Sequence, residues 1–476
     1  MNPQVTPHIT IIGGGITGLA AAWELHSRGH TAYTIIEVEP GWGGKVVTRR
    51  VSLPDGEAII EGGPESFVTR KPQAWELAHE LGLGEQVRTP TSQTSGMYVL
   101  HDGQLLPAPT SPQGFLTTRL LTPGAKARML SEPFVRPRLD LDDESIADFV
   151  DRRLGRQARE RFLGPVLGGI YNCDAERQSV LVAAPVMREM ERESGSLVAG
   201  AVRRAKAARA ARRQEPGDTR PRFFTMAGGT AALVDTLVAR LTGELRTGVA
   251  VTRITRITRD GRGRWSVGLA DGSTFDTDAV LLTVVPRAAA GLLSEVAPAA
   301  AVGLDRMPAT SIGTATLVYA APAPSLPLPV HGLMIPRSAG RRIDAVSVSS
   351  ATAPHRFPPG ALAVRVFFGG ADPDLVTRSD DDLAVVLRAE LTDLIGLDAL
   401  PTATTVFRWP GGFPLADVGH LDRLAAVEAA LPEGLALAGS GYRGLGVPDC
   451  IRQGRERVGH LLSTTTPPAT DPRTDR

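Results

Sequence analysis

Gly13, Gly15 and Gly18, with Glu37 and Lys45 downstream, are the residues of this chain whose types and spacing could do chemistry, and that chemistry is the grip of a phosphate ester. They satisfy G-x-G-x-x-G at the end of a short apolar run, Ile9, Ile11 and Ile12. A helix-like pattern follows at once, with Leu19, Ala22 and Trp23 on one face and Gly29 at the C-terminal cap position. Gly13 suits the tight turn, Gly15 lets a pyrophosphate reach bare backbone, and Gly18 lets helix and strand pack closely; Gly14, Ile16 and Thr17 complete the turn. Free helix N–H groups and the positive end of the helix dipole then face the phosphates. A second strand, 33–36, ends in Glu37, where a carboxylate accepts both ribose hydroxyls of an adenosine and disfavours a 2′-phosphate, so NADP is not expected. Glycines also mark ordinary turns. Here strand, helix, second strand and acid fall in register, which favours dinucleotide binding.

The residues beyond Glu37 decide which dinucleotide. Gly41, Gly43 and Gly44 make a second glycine-rich turn, and Lys45 after it is a cation placed to reach phosphate; an NAD dehydrogenase rarely needs that turn. The run from Glu37 to Lys45, followed by Glu61-Gly62-Gly63-Pro64-Glu65-Ser66-Phe67, resembles the opening of the FAD-dependent amine oxidases, desaturases and porphyrinogen oxidases. Far along the chain a strand at 435–438 leads through Gly439-Ser440-Gly441 and Gly444-Leu445-Gly446-Val447-Pro448-Asp449-Cys450 into a helix at 452–462. A helix N-terminus there would stabilise the charge that gathers on a reduced flavin.

The elements that must position these turns need room, and 476 residues imply two or three structural units. Apolar and charged residues at 42% and 22% are ordinary for a soluble globular protein, and a net charge of +1 gives no reason to expect nucleic acid as a partner. No apolar run has the length of a membrane span, and no basic flank or cleavage-type sequence accompanies the Ile9 run, so a cytoplasmic location is expected. Two cysteines, Cys173 and Cys450, and nine histidines without a close-spaced pair leave no home for a disulfide framework or a metal.

Along the chain the pattern reads as a hairpin at 46–51 and 58–61, a helix opening at Pro72, an irregular wall over 88–124 with a strand pair at 96–100 and 104–106, and helices to about 182. Ile146, Phe149, Val150 and Leu154 share one helical face. Segment 197–213 is alanine-rich and basic, carrying Arg203, Arg204, Lys206, Arg209, Arg212 and Arg213. It reads either as a solvated helix or as one that docks on an anionic membrane surface or a partner enzyme. Residues 245–257 read as one strand-like stretch, and 279–285 as a strand. Over 306–405 an antiparallel sheet is expected from 314–319, 345–349 and 362–368, with a helix at 380–394.

Taken together, residues 61–67, then Gly168-Gly169-Ile170-Tyr171 with Asp174 and Ser179, then 444–451, resemble the porphyrinogen oxidases of haem biosynthesis in chain order over nearly the whole length. The resemblance implies an α/β fold: a Rossmann-like FAD-binding domain of the two-dinucleotide-binding type over 1–70, 225–300 and 405–463. An α+β substrate domain is expected over 71–110, 183–224 and 301–404; the helical pattern gives a helical subdomain over 111–182, and proline-rich polar composition a disordered tail from 464 to 476. Its implied FAD contacts are Gly13, Gly14, Gly15, Ile16, Thr17, Gly18, Glu37, Val38, Gly44, Lys45, Gly63, Pro64, Glu65, Ser66, Val251, Trp409, Leu445, Gly446 and Val447. Lys71 would stand at the substrate mouth against a propionate, or else be a surface lysine at a helix start; Gly169 would neighbour the flavin face. Trp409 reads equally as core packing, and Cys450 as a small buried residue at a helix start rather than a redox group. Phe413-Pro414-Leu415-Ala416 departs from the Pro-Gln-Tyr of many relatives.

The implied activity is oxygen-dependent, six-electron oxidation of a porphyrinogen, with the flavin accepting hydride and O2 leaving as H2O2. Coproporphyrinogen III is the expected substrate, and protoporphyrinogen IX the alternative. An amine oxidase of this superfamily would carry a lysine in the later half, and this chain has none beyond Lys206. A desaturase, or a flavin-bearing scaffold without turnover, is the remaining alternative.

Overall fold

A computed structural model describes all residues except 1–5, 92–95, 110, 166–173, 215–219, 260–261 and 466–476. The nucleotide end is a five-stranded parallel sheet in the order Glu244–Arg246, Tyr33–Ile36, Ile9–Ile12, Ala279–Leu282, Leu435–Leu437. We label Ile9–Ile12 β1, the helix Ile16–Ser27 α1 and Tyr33–Ile36 β2. All three central strands are buried along their whole length, which β-branched and apolar residues on both faces allow in a sheet covered on both sides. Gly18 brings α1 down onto β1: a Cβ there would stand 2.1 Å from Gly13 O and 3.1 Å from Ile11 Cγ2. The C-terminal helix Val447–Thr465 packs along α1 just as tightly, since a Cβ on Gly454 would stand 2.3 Å from Thr17 O.

A second sheet of seven strands runs Ala403–Pro414, Ala309–Tyr319, Leu362–Phe368, Ile343–Val348, Gly332–Met334, Met97–His101, Gln104–Pro107. It is antiparallel except where Gly332–Met334 meets Met97–His101. One face is apolar and packs on the helix Asp380–Ile395 through Leu383, Leu387 and Leu391. The other face turns Thr314, Arg365 and Phe367 toward the nucleotide unit, as the period-2 alternation of strands requires.

Several segments differ from the sequence reading. Residues 245–257 are two strands, Glu244–Arg246 and Val251–Arg259, because the chain turns at Gly248 (φ +68°) from the parallel sheet into a three-stranded antiparallel one. Strand Ala403–Pro414 pairs along Ala309–Tyr319, so it is an edge of the seven-stranded sheet rather than part of the nucleotide unit. The last helix begins at Val447 rather than Arg452, with Pro448 in the first turn where its missing N–H costs nothing. That helix runs to Thr465, past the expected start of the tail, and 466–476 lie outside the described residues.

The wall over 88–124 also contains the helix Pro112–Thr117, capped by the Ser111 hydroxyl at Gly114 N–H. Helices Pro185–Ser194 and Leu197–Gln214 pack on the cluster of Ile146, Phe149 and Val180 rather than on the seven-stranded sheet. A buried ionic knot secures that contact. Glu132 holds Arg153, Ser196 Oγ and Leu197 N–H, and Glu191 receives both Arg152 and Arg188.

Candidate functional site

The site forms where the two ends of the chain meet. Gly13 (φ +114°) turns the chain from β1 into α1, whose N-cap, Gly15, brings no side chain to the first N–H groups and whose first turn carries no acid. A Cβ on Gly15 would meet no atom within 4 Å, so bare backbone faces open space there. The second glycine turn lies on the first: Gly43 N–H donates to Gly14 O at 2.8 Å, and Gly44 lies against Gly15. Lys45 follows, inward-facing and without an ion-pair partner among the described residues, and burial pulls its ammonium pKa below the ordinary lysine value. A half-buried cation beside helix N–H groups that no side chain caps is the donor set that a diphosphate requires.

Glu37 ends β2. One carboxylate oxygen accepts Gly14 N–H at 2.6 Å and the other accepts Glu39 N–H at 2.9 Å, and each keeps lone pairs for a ribose hydroxyl. Val249 N–H reaches Glu37 O at 3.0 Å, which brings the approach to Val251 beside this carboxylate; Val38 is exposed.

From the far end, strand Leu435–Leu437 delivers residues 439–446 above α1, where a Cβ on Gly439 would touch Thr17. Leu445 and Gly446 form the entrance to the C-terminal helix, and Val447 packs on the nucleotide core. Gln453 braces this loop: its Oε1 accepts Arg443 N–H at 3.1 Å, and its Nε2 donates to Gly444 O at 3.3 Å. Cys450 is buried, with Sγ 3.8 Å from Leu445 O, and burial pushes its thiol pKa up to about 11. That agrees with the packing role and leaves no thiolate for redox chemistry near neutral pH. Lys71 does not stand free: its Nζ lies 2.5 Å from Asp449 Oδ2, which ties the chain ahead of the helix Gln73–Glu80 to the 444–449 loop.

The third wall is the loop at Gly62 to Ser66. Gly63 admits no side chain, since a Cβ would stand 1.9 Å from Lys45 O. Its carbonyl and that of Gly62 both turn to the seven-stranded sheet. Arg365 Nη2 donates to each at 2.6 Å, and Thr314 Oγ1 donates to Gly62 O at 2.8 Å. Glu65 accepts the Ser349 hydroxyl at 2.5 Å and lies 3.6 Å from Arg365, while Glu61, buried, accepts Thr48 and Thr230 and lies 3.0 Å from Arg356. Burial draws the Arg365 pKa down from its ordinary value, and Glu65 and Glu61 oppose that. Trp409 is half-buried beside this wall, its ring stacked on Phe407 at 6.2 Å, and a Cβ on Gly62 would in turn strike the Phe407 ring.

The turn residues, Glu37, Lys45, the Gly63 loop and the 445–447 loop thus surround one place, whereas Gly168 to Tyr171, Gly169 included, and Cys173 fall outside the described residues. Sequence reasoning missed Gln453, Thr314, Arg356 and Arg365, and had Asp449 only as part of the 444–450 motif. Only Gln453 left a signal, one helical turn beyond Asp449; an arginine in the apolar run at 362–368 became visible as a site residue only once the sheet was assembled.

A parallel sheet with a bare glycine turn at its first crossover, closed by a helix from the opposite chain end, defines a dinucleotide-binding fold with a separate seven-stranded sheet beside it. The chain belongs to the family of flavin containing amine oxidoreductases, whose model matches residues 16–462, and its cofactor is FAD. It is 30% identical to a coproporphyrinogen III oxidase of Bacillus subtilis (strain 168), over 96% of this chain and 98% of that one. It is 33% identical to a coproporphyrinogen III oxidase of Propionibacterium freudenreichii subsp. freudenreichii, over 98% and 94%. A solved structure from Exiguobacterium sp. 255-15, assigned provisionally as a protoporphyrinogen oxidase, superposes with a TM-score of 0.81 at 27% identity, covering 97% of this chain and 100% of that one.

Proposed function

We propose that this chain oxidises coproporphyrinogen III to coproporphyrin III, removing six electrons and reducing three O2 to three H2O2. The observation that carries the reading is the near-full-length likeness to two relatives of that name, at 30% and 33% identity. Bound FAD supplies the hydride acceptor and passes the electrons to O2.

The chain's own part is binding and orientation. Lys45 and the N-terminus of α1 would hold the diphosphate, Glu37 the ribose, the 445–447 loop one edge of the ring system and Gly63 to Ser66, with Trp409, the wall beside it. Thr314, Phe367, Ala345 and Met334 lie in one row across the seven-stranded sheet, on strands in register. Phe367 and Met334 are only half-buried, which suits a floor for an apolar macrocycle.

The proposal keeps the division into nucleotide, substrate and helical units, with 183–214 moved to the helical unit and 405–414 to the substrate unit. It also keeps a cytoplasmic setting; among the described residues no helix is long and apolar enough to cross a membrane. Contact of the helix Leu197–Gln214 with a membrane surface or partner enzyme stays within the proposal. Two of its arginines, Arg203 and Arg204, pair with Glu193 and Glu189.

Purified protein, reconstituted with FAD and given coproporphyrinogen III or protoporphyrinogen IX in air, tests the reading by porphyrin fluorescence and peroxide. Faster turnover of coproporphyrinogen with three peroxides per porphyrin is expected. Porphyrin formation no faster than the uncatalysed rate on both substrates would sink it.

A further inference from the structure

We infer that Arg365 is a positioning residue for the flavin: from the substrate sheet it clamps the carbonyls of Gly62 and Gly63 and so aims the Gly63 N–H into the cofactor site. The geometry begins with strand Leu362–Phe368. Val364 and Val366 pack into the core behind the sheet, so Arg365 must face the other way, toward the nucleotide unit. It is buried, with its guanidinium 4.7 Å over the Phe367 ring and one nitrogen, Nη2, 2.6 Å from both carbonyl oxygens. Thr314 on the neighbouring strand adds a second donor to Gly62 O.

A trans peptide points its N–H opposite to its C=O. With Gly62 O drawn to the sheet, the Gly63 N–H is turned away from it; the backbone of Lys45 lies close to this residue, since a Cβ on Gly63 would strike Lys45 O. No described protein group accepts that N–H. Pro64 contributes no donor, so Gly63 is the backbone donor immediately ahead of it that the clamped carbonyls orient. A preorganised donor directed at a ring that gains negative charge on reduction favours the reduced form. Glu61 and Glu65 balance the buried arginines Arg356 and Arg365, so the effect acts through the fixed dipole of the peptide rather than through net charge.

The inference rests on the flavin site described above, though not on the identity of the substrate. Its test is the midpoint potential and FAD affinity of Arg365→Met, Arg365→Lys and Thr314→Val, measured on holoenzyme whose fold is checked by circular dichroism. Arg365→Met is expected to bind FAD at least tenfold more weakly. It should also shift the oxidised/reduced equilibrium about tenfold toward oxidised flavin, which is about 30 mV for a two-electron couple. Arg365→Lys should restore part of both. Thr314→Val, which leaves every buried charge in place, should move the potential in the same direction by a smaller factor, and it decides the matter if Arg365→Met does not fold. Unchanged potential in folded Arg365→Met, or in Thr314→Val where Arg365→Met is lost, would overturn the inference. Wild-type protein that refuses FAD would instead overturn the site itself, and flavoprotein that ignores porphyrinogens would overturn only the substrate reading.

Discussion

Gly63 has no room for even one methyl, because Lys45 O stands 1.9 Å from where a Cβ would be. Gly63→Ala should therefore displace the turn against backbone that cannot yield, costing about 1–3 kcal/mol and releasing most of the bound FAD; the ratio of flavin to protein absorbance after gel filtration measures it. Lys71 invites a sharper distinction. Its ammonium is spent on Asp449, so Lys71→Met should speed FAD dissociation while leaving the KM for porphyrinogen within about twofold. A large rise in KM with unchanged FAD release would instead restore the propionate-clamp reading.

Cys450 gives a pH prediction. Its thiol, raised from 9.0 to about 11 by burial, keeps its proton in the folded protein, while the unfolded chain loses it above pH 9. The stabilisation is whole below pH 9 and is lost as pH rises toward 11, by about 2–3 kcal/mol for this group. Denaturant titrations of wild type and Cys450→Ala across that interval should diverge, with the variant less pH-sensitive. At this scale the sequence was eloquent about glycines, because sterics make their roles local; it was silent about Arg365, whose partners come from a loop roughly three hundred residues away.

The contact between α1 and the C-terminal helix couples the first nucleotide turn to the last loop. Gly454 lets the two helices come close, since an added Cβ would stand 2.3 Å from Thr17 O. Gly454→Leu should prise the helices apart, lowering thermal stability and FAD affinity together. A variant that loses stability yet holds FAD normally would show that the closing helix does not shape the site. Most elements were legible in the chain because their burial patterns are periodic: α1, Leu362–Phe368 and Asp380–Ile395 fall where apolar spacing put them. The early start of the final helix was not legible, since Val447 and Pro448 have poor helix propensity, and Val447 is helical where it packs on the nucleotide core.

In the whole molecule the parallel sheet takes strands from residues 9–36, 244–282 and 435–437, so no continuous segment can form it alone. A chain ending at Gly434 should lose the edge strand, the last glycine loop and the closing helix together. It should therefore retain no FAD and show no cooperative thermal transition, rather than leave a smaller flavin-binding unit.

By itself the sequence determined the nucleotide turn, its acid, the second glycine turn and the closing loop, because each is a local steric solution written in adjacent residues. Only the tertiary structure decided that strand Ala403–Pro414 joins the seven-stranded sheet, that Lys71 is held by Asp449, and that Arg365 lies beneath the Gly62–Gly63 carbonyls. These are pairings across long stretches of chain, selected by burial and charge compensation after the sheets assemble, and no spacing along the backbone encodes them.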